Sequence, residues 1–300
     1  MIKIGQSMHP NWVNGDLIKL DEELRLFNKA GAECCELVLQ GLDVVIGARV
    51  IEQRMRAVID VLRRHDFVYT LHLPHGLNLL DAENLEVNMR VFRAAIDFAR
   101  AAGISLLNHH AGMYKIDDKI KLDGKAPPDS NTMIKNEIEQ VKSLAQEAPD
   151  IIFCMENALF GTDPEISAAA GADSMIEFYK QVDLPNFKLT FDIGHSYLWN
   201  KGDNSALLGD MAKLLPYVGH IHLHDNCGVR VGMRAAFGGN GIVTGGGDIH
   251  LPLGWGNLPI IDALALTKDY EGIINLEIEQ RFKEYYGQCI AFVREQIASM

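Results

Sequence analysis

The histidines and carboxylates of this sequence gather at the ends of short apolar runs, where metal-ion or acid–base chemistry could use them. Successive runs close on Leu71-His72-Leu73-Pro74-His75-Gly76, Asn108-His109-His110-Ala111-Gly112, Met155-Glu156-Asn157 and Phe191-Asp192-Ile193-Gly194-His195. Two more carry His220-Ile221-His222-Leu223-His224-Asp225 and Leu276-Glu277-Ile278-Glu279. Imidazole nitrogen mixed with carboxylate oxygen suits a borderline divalent ion, Zn2+ or Mn2+; Mg2+ alone would ask for an oxygen-rich shell. Each residue also has a plainer reading. Glu156 or Glu277 could be a solvated strand end, Asp192 could cap a helix, and a lone histidine could sit in the core or in a loop. Their joint placement on consecutive runs is what points to one site. His220, His222 and His224 share strand parity, so periodicity does not separate them.

Bringing those ends together requires parallel strands. Apolar runs at 3–6, 33–39, 67–73, 104–108, 151–155, 187–191, 219–223 and 272–278 alternate with amphipathic stretches at 17–29, 51–65, 85–101, 131–146, 174–181, 205–215, 259–267 and 285–297. The clearest helix is 85–101, where Leu85, Met89, Phe92, Ile96 and Ala99 form one stripe before Gly103. Continuous apolar strands suit a parallel sheet covered on both faces. No glycine fingerprint follows the first strand, which reads Gly5-Gln6-Ser7-Met8-His9 and so disfavours a doubly wound dinucleotide fold. No linker divides the chain. The expectation is an α/β protein, a single (β/α)8 TIM barrel over 1–300, with its active site at the C-terminal mouth.

Those motifs resemble the xylose-isomerase-like barrels, a superfamily of sugar isomerases and epimerases with related endonuclease-IV-type enzymes. The resemblance runs over essentially the whole chain. For the isomerase branch it implies one divalent ion held by Glu156, Asp192, His222 and Glu277, with His195 of the Asp-x-x-His motif binding substrate. In that branch an arginine often follows the metal histidine by six residues. Here that place is Gly228, with Arg230 two residues later. The nuclease branch, with three zinc ions, matches His75, His110 and Asp248-Ile249-His250 as well, so His75, His110, His195, Asp248 and His250 could hold further ions. Homo-oligomers are common in the superfamily, and the resemblance leaves a homo-oligomer open here.

Charge bears on the partner. With 28 basic and 40 acidic residues the formal net charge is −12. Duplex binding needs phosphate neutralisation by a basic face, and only short mixed clusters such as Arg63-Arg64 and 119–125 occur. A small sugar-like hydroxycarbonyl compound is the expected substrate, isomerised or epimerised through an ene-diolate with Glu156 and Glu277 as acid–base groups. A multinuclear zinc hydrolase or lyase is the alternative, and a metal-dependent sugar-binding barrel a third reading. Substrate contacts are expected from His195, His75, Arg230 and Trp255. Trp12, Phe160, Trp199 and Phe237 are further loop aromatics, and the glycine-rich stretch 227–247 is expected to form a mobile flap. Five cysteines without a CxxC pair argue against a disulfide or thiolate–zinc framework. With no signal peptide and no apolar span, the cytoplasm is the expected compartment.

Overall fold

A computed structural model describes residues 1–115, 129–157, 165–169, 171–231 and 240–300. Phe160, Phe237 and 119–125 lie outside the described residues. Parallel strands β1 (Lys3–Ser7), β2 (Cys34–Val38), β3 (Val68–His72), β4 (Leu106–His110), β5 (Ile152–Glu156), β6 (Phe187–Asp192), β7 (Val218–Leu223) and β8 (Ile273–Leu276) close into one barrel in chain order. The helices that follow them are α1 (Leu17–Ala30), α2 (Glu52–Leu62), α3 (Leu85–Ala102), α4 (Ser130–Glu147), α5 (Ala172–Val182), α6 (Asn204–Leu214), α7 (Ile260–Ala265) and α8 (Tyr286–Ala298). This is the expected (β/α)8 architecture, built as a single domain.

Local sequence sets the helix ends. Asp16, Asp129 and Asp203 accept backbone N–H bonds at the starts of α1, α4 and α6, satisfying donors that the first turn leaves open. Gly31 and Gly103 end α1 and α3 in the left-handed conformation. Outward-facing strand residues such as Leu71, Phe153, Phe191 and Ile221 are buried under the helices. Inward-facing residues are unusually polar. Glu36, Thr70, His72, Asn108, Thr190, His220, His222 and Asn275 are all buried.

Two details depart from the sequence expectation. β4 continues to His110 instead of stopping near 108, so strand alternation splits its two histidines. His109 turns outward onto Phe92 (ring centroids 5.2 Å apart), and burial pushes its pKa down to about 3. His110 turns towards the mouth. Trp12 and Trp199 are not loop residues: they belong to short helices, Pro10–Val13 and Ile193–Trp199. Of the stretch 227–247, residues 232–239 lie outside the described residues; in the described part Gly247 N–H donates to Val229 O (2.8 Å) and Asn240–Thr244 is helical.

Candidate metal centre

Strand register gathers the polar residues. Glu156 ends β5 beside His110 of β4 and Thr190 of β6, while Asp192 ends β6 beside His222 of β7. Glu277 follows β8 and is anchored by its own N–H, which donates to Leu223 O at 3.1 Å. One ligand atom from each of Glu156, Asp192, His222 and Glu277 lies within 4.8 Å of all the others. His222 Nδ1 stands 3.3 Å from Glu156 Oε1, 3.3 Å from Glu277 Oε1 and 3.9 Å from Asp192 Oδ2. Ligands sharing an ion at about 2.1 Å sit about 3.0–3.4 Å apart, so the group needs little adjustment to close on one.

Asp192 combines the two roles considered for it. Its Oδ1 accepts the His195 N–H (2.6 Å) and starts the short helix, while Oδ2 is buried without a hydrogen bond. His222 Nδ1 is likewise buried without one. Orphaned buried polar atoms of this kind are costly unless something pairs with them. A divalent ion fits both.

The electrostatics carry the same message. Burial would raise the Glu156 carboxyl, but the charges of His222 and His110 outweigh it and hold the group well below the usual range. Burial opposes protonation of His222, yet Glu277, Glu36 and Glu156 lift it well above an ordinary imidazole. His72 is pushed up to about 9 in the same way, its burial overcome by the bond to and charge of Glu156. The carboxylates thus favour protons on the surrounding imidazoles as counter-charge, a part that a divalent ion would take over with release of those protons.

Besides Glu36, His220 and His222, which group together inside the barrel, two further groups adjoin the first. His195, His224, Asp248 and His250 form one. His250 Nε2 lies 2.8 Å and His195 Nε2 3.3 Å from Asp248 Oδ2, while His224 Nε2 is 3.4 Å from Asp248 Oδ1. The other is His72, His110 and Glu156, with Nε2 to Glu156 Oε2 distances of 3.2 and 3.6 Å. His75 is exposed beside it, its ring 4.9 Å from that of His72 and 5.5 Å from that of His110.

The remaining expected substrate contacts are dispersed. Arg230 lies over the Trp199 ring at 4.9 Å. Trp255 is 50% exposed and packs edge-on against Phe282 and Tyr285. Its turn is clamped by Asp225, which accepts N–H bonds from Asn226, Gly254, Gly256 and Leu258. Sequence reasoning overlooked Asp225 as the organiser of this turn, and it overlooked Glu36 entirely. Glu36 was legible as a lone acid inside the apolar run Cys34–Val38, since a buried charge needs a partner.

A closed parallel barrel with a carboxylate–imidazole cluster at its mouth defines a class of proteins able to bind divalent ions. The family model for the xylose isomerase-like TIM barrel matches residues 24–296, and the chain belongs to that family. Among curated proteins, an uncharacterized protein of Methanocaldococcus jannaschii is 29% identical over 137 residues, which span 42% of this chain and 39% of that relative. Solved structures share the fold at low identity. A D-tagatose 3-epimerase-like protein aligns with TM-score 0.72 at 20% identity, covering 99% of this chain and 98% of its own. D-allulose 3-epimerase from Methylomonas sp. aligns with TM-score 0.71 at 16% identity and 98% of each chain. The probable 3-DHS dehydratase from Bacillus anthracis aligns with TM-score 0.68 at 14% identity, covering 97% of this chain and 98% of its own.

Proposed function

We propose that the protein is a divalent-metal-dependent isomerase or epimerase of a small sugar-like hydroxycarbonyl compound. The observation that carries this reading is the convergence of Glu156, Asp192, His222 and Glu277 on one point, where Asp192 Oδ2 and His222 Nδ1 are buried and unpaired. Mn2+ or Zn2+ matches the one-nitrogen, three-carboxylate donor set. The chemistry such an ion supplies when bound is Lewis-acid polarisation of a carbonyl. The protein supplies the proton transfers. Glu277, the more open of the two glutamates with 15% side-chain exposure, takes a proton from the carbon next to the carbonyl. The electron pair moves to the carbonyl oxygen, giving the substrate ene-diolate. Return of that proton by Glu277, or delivery by Glu156 of a proton it has first taken from water while Glu277 gives its own back to water, to the opposite face of that carbon or to its neighbour completes epimerisation or isomerisation. His195 orients a substrate hydroxyl.

The test is deuterium incorporation. Metal-loaded protein in D2O, offered a panel of ketoses and aldoses, is expected to label one carbon adjacent to the carbonyl of its substrate, and E277Q to abolish labelling. Metal-loaded protein that labels none of them overturns the reading. The two adjoining ligand groups favour one alternative, a multinuclear zinc hydrolase or lyase, in which extra ions at His195, His224, Asp248 and His250 and at His72 and His110 would orient water and leaving group. Three zinc ions per chain with rapid cleavage of abasic duplex DNA at moderate salt would establish it.

A further inference from the structure

We propose that Glu36 is the positioning residue that decides which nitrogen of His222 faces the ion, an inference that rests on the metal-centre reading above. Glu36 lies on β2, which pairs with β1 and β3; His222 lies on β7, which pairs with β6 and β8. Their contact therefore crosses the inside of the barrel. Both residues are fully buried. Glu36 Oε1 stands 3.0 Å from His222 Nε2, without the alignment of a straight hydrogen bond. Glu36 Oε2 takes 2.9 Å contact with His220 Nε2 and accepts from Thr70 Oγ1 at 3.2 Å.

Among the described residues, no lysine or arginine is ion-paired with this carboxylate; the two imidazoles are its basic partners. Ser7 Oγ, the remaining nearby donor, has one proton and two claimants. It sits 3.1 Å from Glu277 Oε1 and 3.4 Å from Glu36 Oε1, and it accepts from Asn275 Nδ2 at 2.6 Å. The shorter contact turns the hydroxyl proton to Glu277 and leaves Glu36 Oε1 to His222.

The consequence is a fixed tautomer. A neutral imidazole has one N–H and one lone pair, and an ionised carboxylate only accepts. Facing Glu36, Nε2 of His222 must carry the hydrogen, so the lone pair falls on Nδ1, the atom that confronts Glu156, Asp192 and Glu277. A carboxylate behind a metal-ligating histidine also raises the basicity of the ligand. His220 holds Glu36 in place from the same strand as His222, two residues earlier, which gives the run His220-Ile221-His222 a division of labour.

The experiment titrates the metal-free full chain with Mn2+ and with Zn2+ by calorimetry, for the wild type and Glu36→Gln. Metal-free melting of both checks the fold, and 15N-histidine NMR of the Zn2+-loaded wild type reads the tautomer. Glutamine offers one acceptor where the carboxylate offers two, so the variant is expected to lose 10–100-fold in affinity, about the range for such outer partners, with metal-free melting still cooperative but below the wild type, since two buried imidazoles lose an ionised partner. In the wild type, His222 is expected to keep hydrogen on Nε2 and ligate through Nδ1. Equal affinity in the variant, or ligation through Nε2, overturns the proposal. If Glu36→Gln does not fold, the wild-type tautomer alone decides. A wild type that takes up no ion overturns the centre and this inference together, whereas ion uptake without deuterium exchange overturns the reaction only.

Discussion

Glu156 is the most connected side chain of the centre. Its Oε2 accepts from Asn108 Nδ2 (2.6 Å) and lies near His72 and His110, while Oε1 lies 3.3 Å from both His195 Nδ1 and His222 Nδ1. Glu156→Gln keeps the shape and the bond from Asn108 but removes the charge. Deuterium exchange into substrate is expected to fall by at least about 100-fold, while metal-free melting shows a folded variant at a lower temperature than the wild type, because the neighbouring imidazoles lose an ionised partner. A folded variant that exchanges at the wild-type rate would contradict the assignment. The individual ligands were legible because each ends an apolar run. The inner contacts were not: β2 and β7 are 184 residues apart at Glu36 and His220, and spacing along one chain carries no record of which strands face each other across a barrel.

The strands and helices themselves were readable to within about two residues, because amphipathic stripes and caps are local. The two-residue displacement of β4 mattered, since in a strand it decides where alternation starts and ends. Close approaches between elements were invisible beforehand. Gly194, within Asp192-Ile193-Gly194-His195, lies against the His224 ring, and a Cβ there would come within 2.2 Å of Cε1. Gly194→Ala is expected to push His224 away from Asp248 and to cost about 1–3 kcal/mol, measurable by urea unfolding; wild-type stability would mean that the ring has room to retreat. Glu137 of α4 gives a pH signature. Burial raises its pKa from 4.5 to about 7, despite the Gly112 N–H donated to it. A carboxyl raised in the folded state contributes fully below its unfolded pKa and loses that contribution as pH rises through about 7. Glu137→Gln should therefore match the wild type near pH 4.5 and exceed it at pH 8 by up to about 3 kcal/mol. Parallel stability–pH curves for the two proteins would contradict this.

Taken whole, the molecule places its chemistry at one end of a barrel whose interior is a polar network and whose shell is apolar. A net charge of −12 sets it against polyanionic partners, and no helix among the described residues is long and apolar enough to cross a membrane. The fold shared with sugar epimerases and a dehydratase leaves the reaction to be decided by the site, since one barrel hosts many chemistries. The proposed function requires the site first to bind an ion. The most direct measurement is anomalous scattering from crystals of the Mn2+- or Zn2+-loaded protein. The expected result is a peak bounded by Glu156, Asp192, Glu277 and His222 Nδ1, with ligand distances of about 2.0–2.2 Å. Loaded crystals with no peak among those four side chains, including crystals in which the only peak lies between His195, Asp248 and His250, would contradict it.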